Sequence, residues 1–221
     1  MFAVLFGSIS SLADSSELQR EAFNQAFREH GLSWEWDPET YRALLEKSGG
    51  RDRVAEYARS QGETVDAEAV HATKSALFQR NLATAGLSAR PGVAEVIAGA
   101  KSRGWPVGLV TSTARANVTA LLDTLEPQVR AADFDVVVAA EDAEQPKPAP
   151  EVYRLALDEL GREPGECVAV EDNLGGVEAA RAAGITVVAF PNENTRDHDF
   201  GDTKVVRQLE FGELAAAGEH R

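Results

Sequence analysis

The feature that most constrains the fold is an alternation that begins at Pro91. Short, valine-rich runs recur: "VGLV" (Val107–Val110), "FDVVVA" (134–139), "CVAV" (167–170) and "TVVAF" (186–190). Between them, apolar residues fall at helical spacing over 93–103, 114–125, 150–160 and 174–183. A strand covered on both faces reads as a continuous apolar run, and parallel neighbours need a helical crossover between them. The pattern therefore predicts an α/β protein with a doubly wound, Rossmann-like parallel sheet. Val4, Leu5 and Phe6 supply another buried strand at the start, and 205–206 a short last one.

The stretch from Ser15 to Leu87 breaks this rhythm. Nothing in it alternates like a strand. Leu18, Ala22, Phe23, Ala26 and Phe27 mark one helix over 17–30, with Gly31 as its stop. Further helices are expected over 38–46, 51–60 and 67–85, the last ended by Gly86. The implied organisation is a core of residues 1–14 and 88–221, with a small helical cap domain, residues 15–87, inserted after the first strand. At the end of the chain, "AAAGEHR" reads as frayed and "ELAAAG" as the end of a helix.

With 221 residues the chain can bury one sizeable core plus a small second unit. Its formal net charge of −14 argues against nucleic-acid binding and against docking on an anionic membrane. The single cysteine, Cys167, lies in an apolar run and reads as a buried thiol. No basic leader with an apolar core and no run of membrane-spanning length is found, so a cytoplasmic location is expected.

In open α/β sheets, ligands bind beyond the carboxyl ends of the strands. The residues just beyond the strand runs are Gly7 to Ser11, then Thr111-Ser112-Thr113, then Lys147 in "PKPAPE", then Glu171-Asp172-Asn173. Thr111 and Ser112 with helix-start amides suit a phosphate oxygen, and Lys147 adds charge for the same anion. Glu171 and Asp172 offer the hard oxygens that magnesium prefers. Taken singly, each has a plain structural alternative: helix caps, a solvated lysine, turn carboxylates. Taken together they point to a phosphate and metal site.

These segments resemble the haloacid dehalogenase superfamily of phosphotransferases. "VTSTARANV" is similar to its second motif through Thr111, "PKPAPEVY" to its third through Lys147, and "VAVEDNLGGVEAARAAG" to its fourth through Glu171 and Asp172. The helical insert "AFNQAFREHGLSWEWDPETYRALLEKSGGRDRV" resembles the cap of the CbbY-type sugar-bisphosphate phosphatases, which act on xylulose bisphosphate. The resemblance implies that the turn Gly49-Gly50-Arg51 faces the substrate, with Arg51 suited to a second phosphate. A surface arginine opening a helix is the alternative.

The first motif departs from the pattern. The family carries Asp-x-Asp-Gly-Thr-Leu at the end of its first strand, and this chain reads Gly7-Ser8-Ile9-Ser10-Ser11-Leu12. The resemblance places a nucleophilic, metal-ligating aspartate at Gly7 and the general acid/base at Ile9. A histidine that faces the cap corresponds to Gln19. Losing such a nucleophile costs on the order of 10⁴–10⁶ in kcat, and the acid/base roughly 10²–10⁴ more if independent. Ser8, Ser10 and Ser11 have hydroxyls but no histidine nearby in sequence. The expectation is a sugar-phosphate phosphatase frame that retains a phosphate site and a weakened magnesium site, with little or no turnover. Its ligand would be a sugar phosphate or inorganic phosphate, with a protein partner as a further option. Two alternatives stay open: an active phosphohydrolase with a non-standard nucleophile, and a non-catalytic regulatory or interaction protein.

Overall fold

The structure is a computed structural model that describes residues 2–46 and 49–219, with side chains to 217. Six parallel strands form one sheet in the order β3-β2-β1-β4-β5-β6. They are β1 (Ala3–Phe6), β2 (Val107–Val110), β3 (Val136–Val138), β4 (Cys167–Glu171), β5 (Thr186–Ala189) and β6 (Lys204–Val205). β1 lies at the centre, with Val4 opposite Val107 on one side and Val168 on the other. The third strand is shorter than its apolar run. Asp135 accepts from the Val107 amide through Oδ2 at 2.8 Å, so it braces the strand's start.

Alternate residues of each strand feed two separate cores, as the period of two requires. Val4, Phe6, Val107, Leu109, Val168 and Val170 pack with α6 (Val93–Ser102), α7 (Arg115–Leu125) and the helical insertion. Ala3, Leu5, Val110, Val136 and Ala169 pack with α8 (Glu151–Leu160) and α9 (Leu174–Ala182). Complete burial of each large aliphatic side chain contributes about 1.5–3 kcal/mol. The sheet's central position thus follows directly from its uninterrupted apolar runs.

The insertion consists of α2 (Ser16–Glu29), α3 (Pro38–Leu44), α4 (Gly50–Gln61) and α5 (Ala67–Ala85). Asp37 and Asp66 cap α3 and α5 through the amides of Thr40 and Ala69. An aromatic nest fixes the packing: the Trp36 ring lies 4.8 Å from Phe23, 4.7 Å from Phe27 and 5.4 Å from Tyr57. Buried Asn24 exchanges two hydrogen bonds with the Trp36 backbone, so the extended segment before α3 has its polar groups satisfied.

Both linkers are tied to the loop after β5. Asp14 accepts from the Ser16 hydroxyl and, through its other oxygen, from the Glu193 amide. Arg90 donates to the carbonyls of Ser10, Phe190 and Pro191 and lies over the Phe190 ring at 3.4 Å.

Two local expectations change. Residues 9–12 are not loop but a single turn, α1 (Ile9–Leu12), capped by Ser8, whose hydroxyl accepts from the Ser11 amide. The last described helix is α10 (Phe211–Glu219), which agrees with the helix end expected at "ELAAAG" and carries on to Glu219 through part of the stretch expected to fray. His220 and Arg221 lie outside the described residues. Among the described residues, no helix is long and apolar enough to cross a membrane.

Candidate functional site

The carboxyl ends of β1, β2 and β4 border a cavity of about 160 Å³ whose opposite wall is the helical insertion. Gly7, Ser8, Ile9, Thr111, Ser112, Lys147 and Asp172 line it from the sheet side, as do Gly49 and Gly50 from the insertion. Arg51 does not. Its guanidinium is exposed and pairs with Asp52 and Glu68. From the insertion, the basic groups facing the cavity are instead Arg53, His71 and Lys74.

Lys147 is almost fully buried, and its ammonium donates to three acceptors. These are the Gly7 carbonyl at 2.5 Å, the Val110 carbonyl at 2.8 Å and Glu171 Oε1 at 2.5 Å. An ammonium has three protons, so this set consumes them all. The lysine expected to meet an anion is committed to the protein, where it clamps the ends of β1 and β2 to Glu171. Tyr153 Oη donates to the same Glu171 oxygen at 2.6 Å. Burial raises the Glu171 carboxyl above its usual range, against the opposing pull of Lys147. Burial and the neighbouring Glu171 charge likewise raise the Tyr153 phenol.

Gly7 makes this cluster possible. A Cβ at residue 7 would stand 2.1 Å from Glu171 Oε1 and 2.5 Å from Tyr153 Oη. On the far side, a Cβ at Gly176 would stand 2.1 Å from Glu171 Oε2. The Glu171 carboxylate therefore fills a slot between two glycines. Where the resemblance implies a nucleophilic aspartate, the space belongs to Glu171. Ile9, the implied acid/base position, is 1% exposed and packs in the apolar core beneath α1.

Asp172 is the carboxylate that reaches the cavity. It accepts from the Ser8 hydroxyl at 2.7 Å, Asn173 Nδ2 at 2.8 Å and Asn192 Nδ2 at 2.6 Å. Thr111 Oγ1 accepts from the Thr113 amide, and Ser112 Oγ accepts from the Lys147 amide at 3.0 Å. Both hydroxyls hold loops and border the cavity at once, so the capping and the phosphate-facing readings coexist.

On the opposite wall, Lys74 Nζ donates to Gln19 Oε1 at 2.8 Å and sits 4.8 Å from the Phe23 ring centre and 5.1 Å from that of Phe78. Burial pushes its ammonium down to about 7. His71 is pushed down to about 4 by burial and by the nearby Lys74 charge, so it is neutral near pH 7. Gly50 permits the close approach of His71, because a Cβ there would lie 2.6 Å from Nε2.

A magnesium ion needs near-octahedral oxygen donors at about 2.0–2.1 Å. Of the two carboxylates expected to contribute, only Asp172 lines the cavity. Glu171 faces Lys147 and Tyr153, Gly7 brings no carboxylate, and its carbonyl accepts from Lys147. Among the described residues, no cluster of three or more acidic, histidine or cysteine side chains is arranged for a metal.

Sequence reasoning missed Arg53, His71, Lys74, Tyr153 and Asn192. Lys74 did leave a signal, since it interrupts the apolar stripe formed by Val70, Leu77 and Phe78 on one helix. Asn192 lies just beyond a strand end, where the same search that found Asp172 applies. Tyr153 has no such mark, because it reads as an ordinary apolar position of α8.

Comparison with known proteins shows the family. The family model for haloacid dehalogenase-like hydrolases matches residues 8–184. The chain is 39% identical to Protein CbbY of Rhodobacter capsulatus over 201 residues, covering 90% of this chain and 88% of that one. It is 38% identical to Protein CbbY of Cereibacter sphaeroides, covering 96% and 95%. Among solved structures, CbbY from Rhodobacter sphaeroides in complex with phosphate is similar at a TM-score of 0.89 and 36% identity, covering 99% of each chain. A mutant of that protein in complex with xylulose-(1,5)bisphosphate is similar at a TM-score of 0.89 and 35% identity.

Proposed function

The chain belongs to the haloacid dehalogenase-like hydrolase family, and on that premise we propose that it is a sugar-phosphate-binding member of the CbbY type whose hydrolytic step is impaired. The observation that carries this is the floor of the cavity. Gly7 and Ile9 bring neither nucleophile nor proton donor, while Thr111, Ser112 and Asp172 still border the cavity. The related CbbY structures in complex with phosphate and with xylulose-(1,5)bisphosphate support the ligand class.

In this reading residues 1–14 and 88–221 form the core domain, and residues 15–87 are a cap that closes over the ligand. One phosphate lies against Thr111, Ser112 and the amides that open α7. Arg53 and Lys74 meet the ligand from the cap side, beside the Gly49-Gly50 turn. Arg51, exposed and paired with Asp52 and Glu68, is not needed for this.

The experiment is phosphate release from a panel of sugar mono- and bisphosphates with magnesium, including xylulose bisphosphate. Wild type is run beside Gly7→Asp/Ile9→Asp, and binding of the same compounds is measured in parallel. The expected result is binding by wild type without turnover; turnover in the double variant requires Glu171 to leave the slot beside residue 7. Wild-type turnover near about 1 s⁻¹ or faster would refute the impairment. It would turn attention to Ser8, whose hydroxyl already donates to Asp172.

A further inference from the structure

The polar groups at the floor of the cavity are already engaged in ways that a divalent ion would have to undo. Lys147 spends its three protons on Gly7, Val110 and Glu171. Glu171 is fully buried and does not line the cavity. Among the described residues its Oε2 accepts no hydrogen bond, and it faces Gly176 rather than the cavity. Asp172 receives three donors, one each from Ser8, Asn173 and Asn192. Ser8 is itself held, because its oxygen also caps α1. An ammonium thus stands against the carbonyl of residue 7 and against Glu171, which leaves Asp172, with its three donors, as the carboxylate at this strand end that faces the cavity.

We infer that the floor is a closed ion-pair cluster in which the Lys147 ammonium is the resident cation, so that the cavity takes a phosphate-class anion without a divalent metal. Recognition of the anion rests on the function proposed above. The absence of metal dependence rests only on the cluster.

The full chain tests this in two arms. In the first, manganese is titrated into wild type and Asp172→Asn while free manganese is followed by its paramagnetic signal. The variant subtracts loose binding to the acidic surface, which a net charge of −14 will produce. Matching curves are expected; one equivalent bound by wild type and lost in the variant overturns the inference. In the second arm, inorganic phosphate is titrated into wild type by calorimetry with excess magnesium and again with a chelator. This arm does not depend on whether Asp172→Asn folds. Affinities within about twofold of each other are expected after matching ionic strength. A rise of about tenfold or more with magnesium, about 1.4 kcal/mol, overturns the inference. Failure to bind phosphate under both conditions, with matching manganese curves, sinks the proposed ligand class and leaves the metal-independent cluster standing.

Discussion

Replacing Gly7 by alanine adds one methyl group at the tightest point of the structure. The new Cβ would lie 2.1 Å from Glu171 Oε1 and 2.2 Å from its Cδ. The carboxylate has no room to retreat, because Gly176 closes the slot behind it, where a Cβ would stand 2.1 Å from Oε2. Relief requires Glu171 to leave Lys147 and Tyr153. Overpacking alone costs about 1–3 kcal/mol, and breaking a buried ion pair about 3–5 kcal/mol when it leaves a charge uncompensated. A total near 3–5 kcal/mol is expected, because the two are alternative routes for the same strain. Backbone strain is not the cause, since Gly7 is not in the left-handed region. Alanine there would otherwise stabilise by about 0.4–1 kcal/mol through the unfolded chain. Urea unfolding should show a lower midpoint with unchanged slope. The cycle with Glu171→Ala/Tyr153→Phe isolates the cause, because both groups that the new Cβ would strike are then gone and Gly7→Ala should cost less than about 0.5 kcal/mol. The reasoning fails if Gly7→Ala matches wild type, or if its cost is the same with and without those two groups.

Lys147→Met leaves Glu171 buried without its cation and should cost about 3–5 kcal/mol in the same assay, whereas Lys147→Met/Glu171→Leu should recover most of it. His71 gives a pH signature. Its folded-state value near 4 lies below the ordinary 6.5, chiefly through burial. The unfolded chain therefore binds the proton first, and stability is lost as pH falls from about 6.5 to about 4, by up to about 3 kcal/mol. His71→Gln should flatten that limb of a melting-temperature profile, and an unchanged limb would refute the assignment. Gly7→Asp adds a third carboxylate beside one ammonium. Its stability should rise with magnesium, by about 2.7 kcal/mol at a hundredfold excess over Kd, while wild type stays flat.

The sheet was legible because burial on both faces demands continuous apolar runs, and β2 and β5 have little else in them. The helix α2 was legible because Phe23 and Phe27 repeat at helical spacing. The turn α1 was not, since Gly-Ser-Ile-Ser-Ser carries loop composition and the decisive contact is a single cap from Ser8. The strand-end rule located Thr111, Lys147 and Asp172 beside one cavity. What it could not supply was direction. Lys147 and Glu171 are where the sequence placed them, yet they face each other rather than a ligand. Arg51 and Arg53 are two residues apart on a helix start, and only the fold decides which one reaches the cavity.

That difference in direction changes how the retained motif residues should be weighed. Lys147 joins the ends of β1 and β2 to β4, Thr111 and Ser112 hold their loops, and Asp172 fastens the first strand's loop to Asn192. Each would be costly to lose even in a chain that never touched phosphate, since unpaired buried polar groups cost about 1–3 kcal/mol each. Their presence is therefore weak evidence for chemistry. The groups that test for a ligand are those with no comparable structural task. Lys74 is buried among aromatic rings and, among the described residues, donates to Gln19, at a cost its side chain does not recover from packing alone. A basic group kept under those conditions, facing the same cavity as Asp172, is the residue whose loss would report on a ligand rather than on the fold.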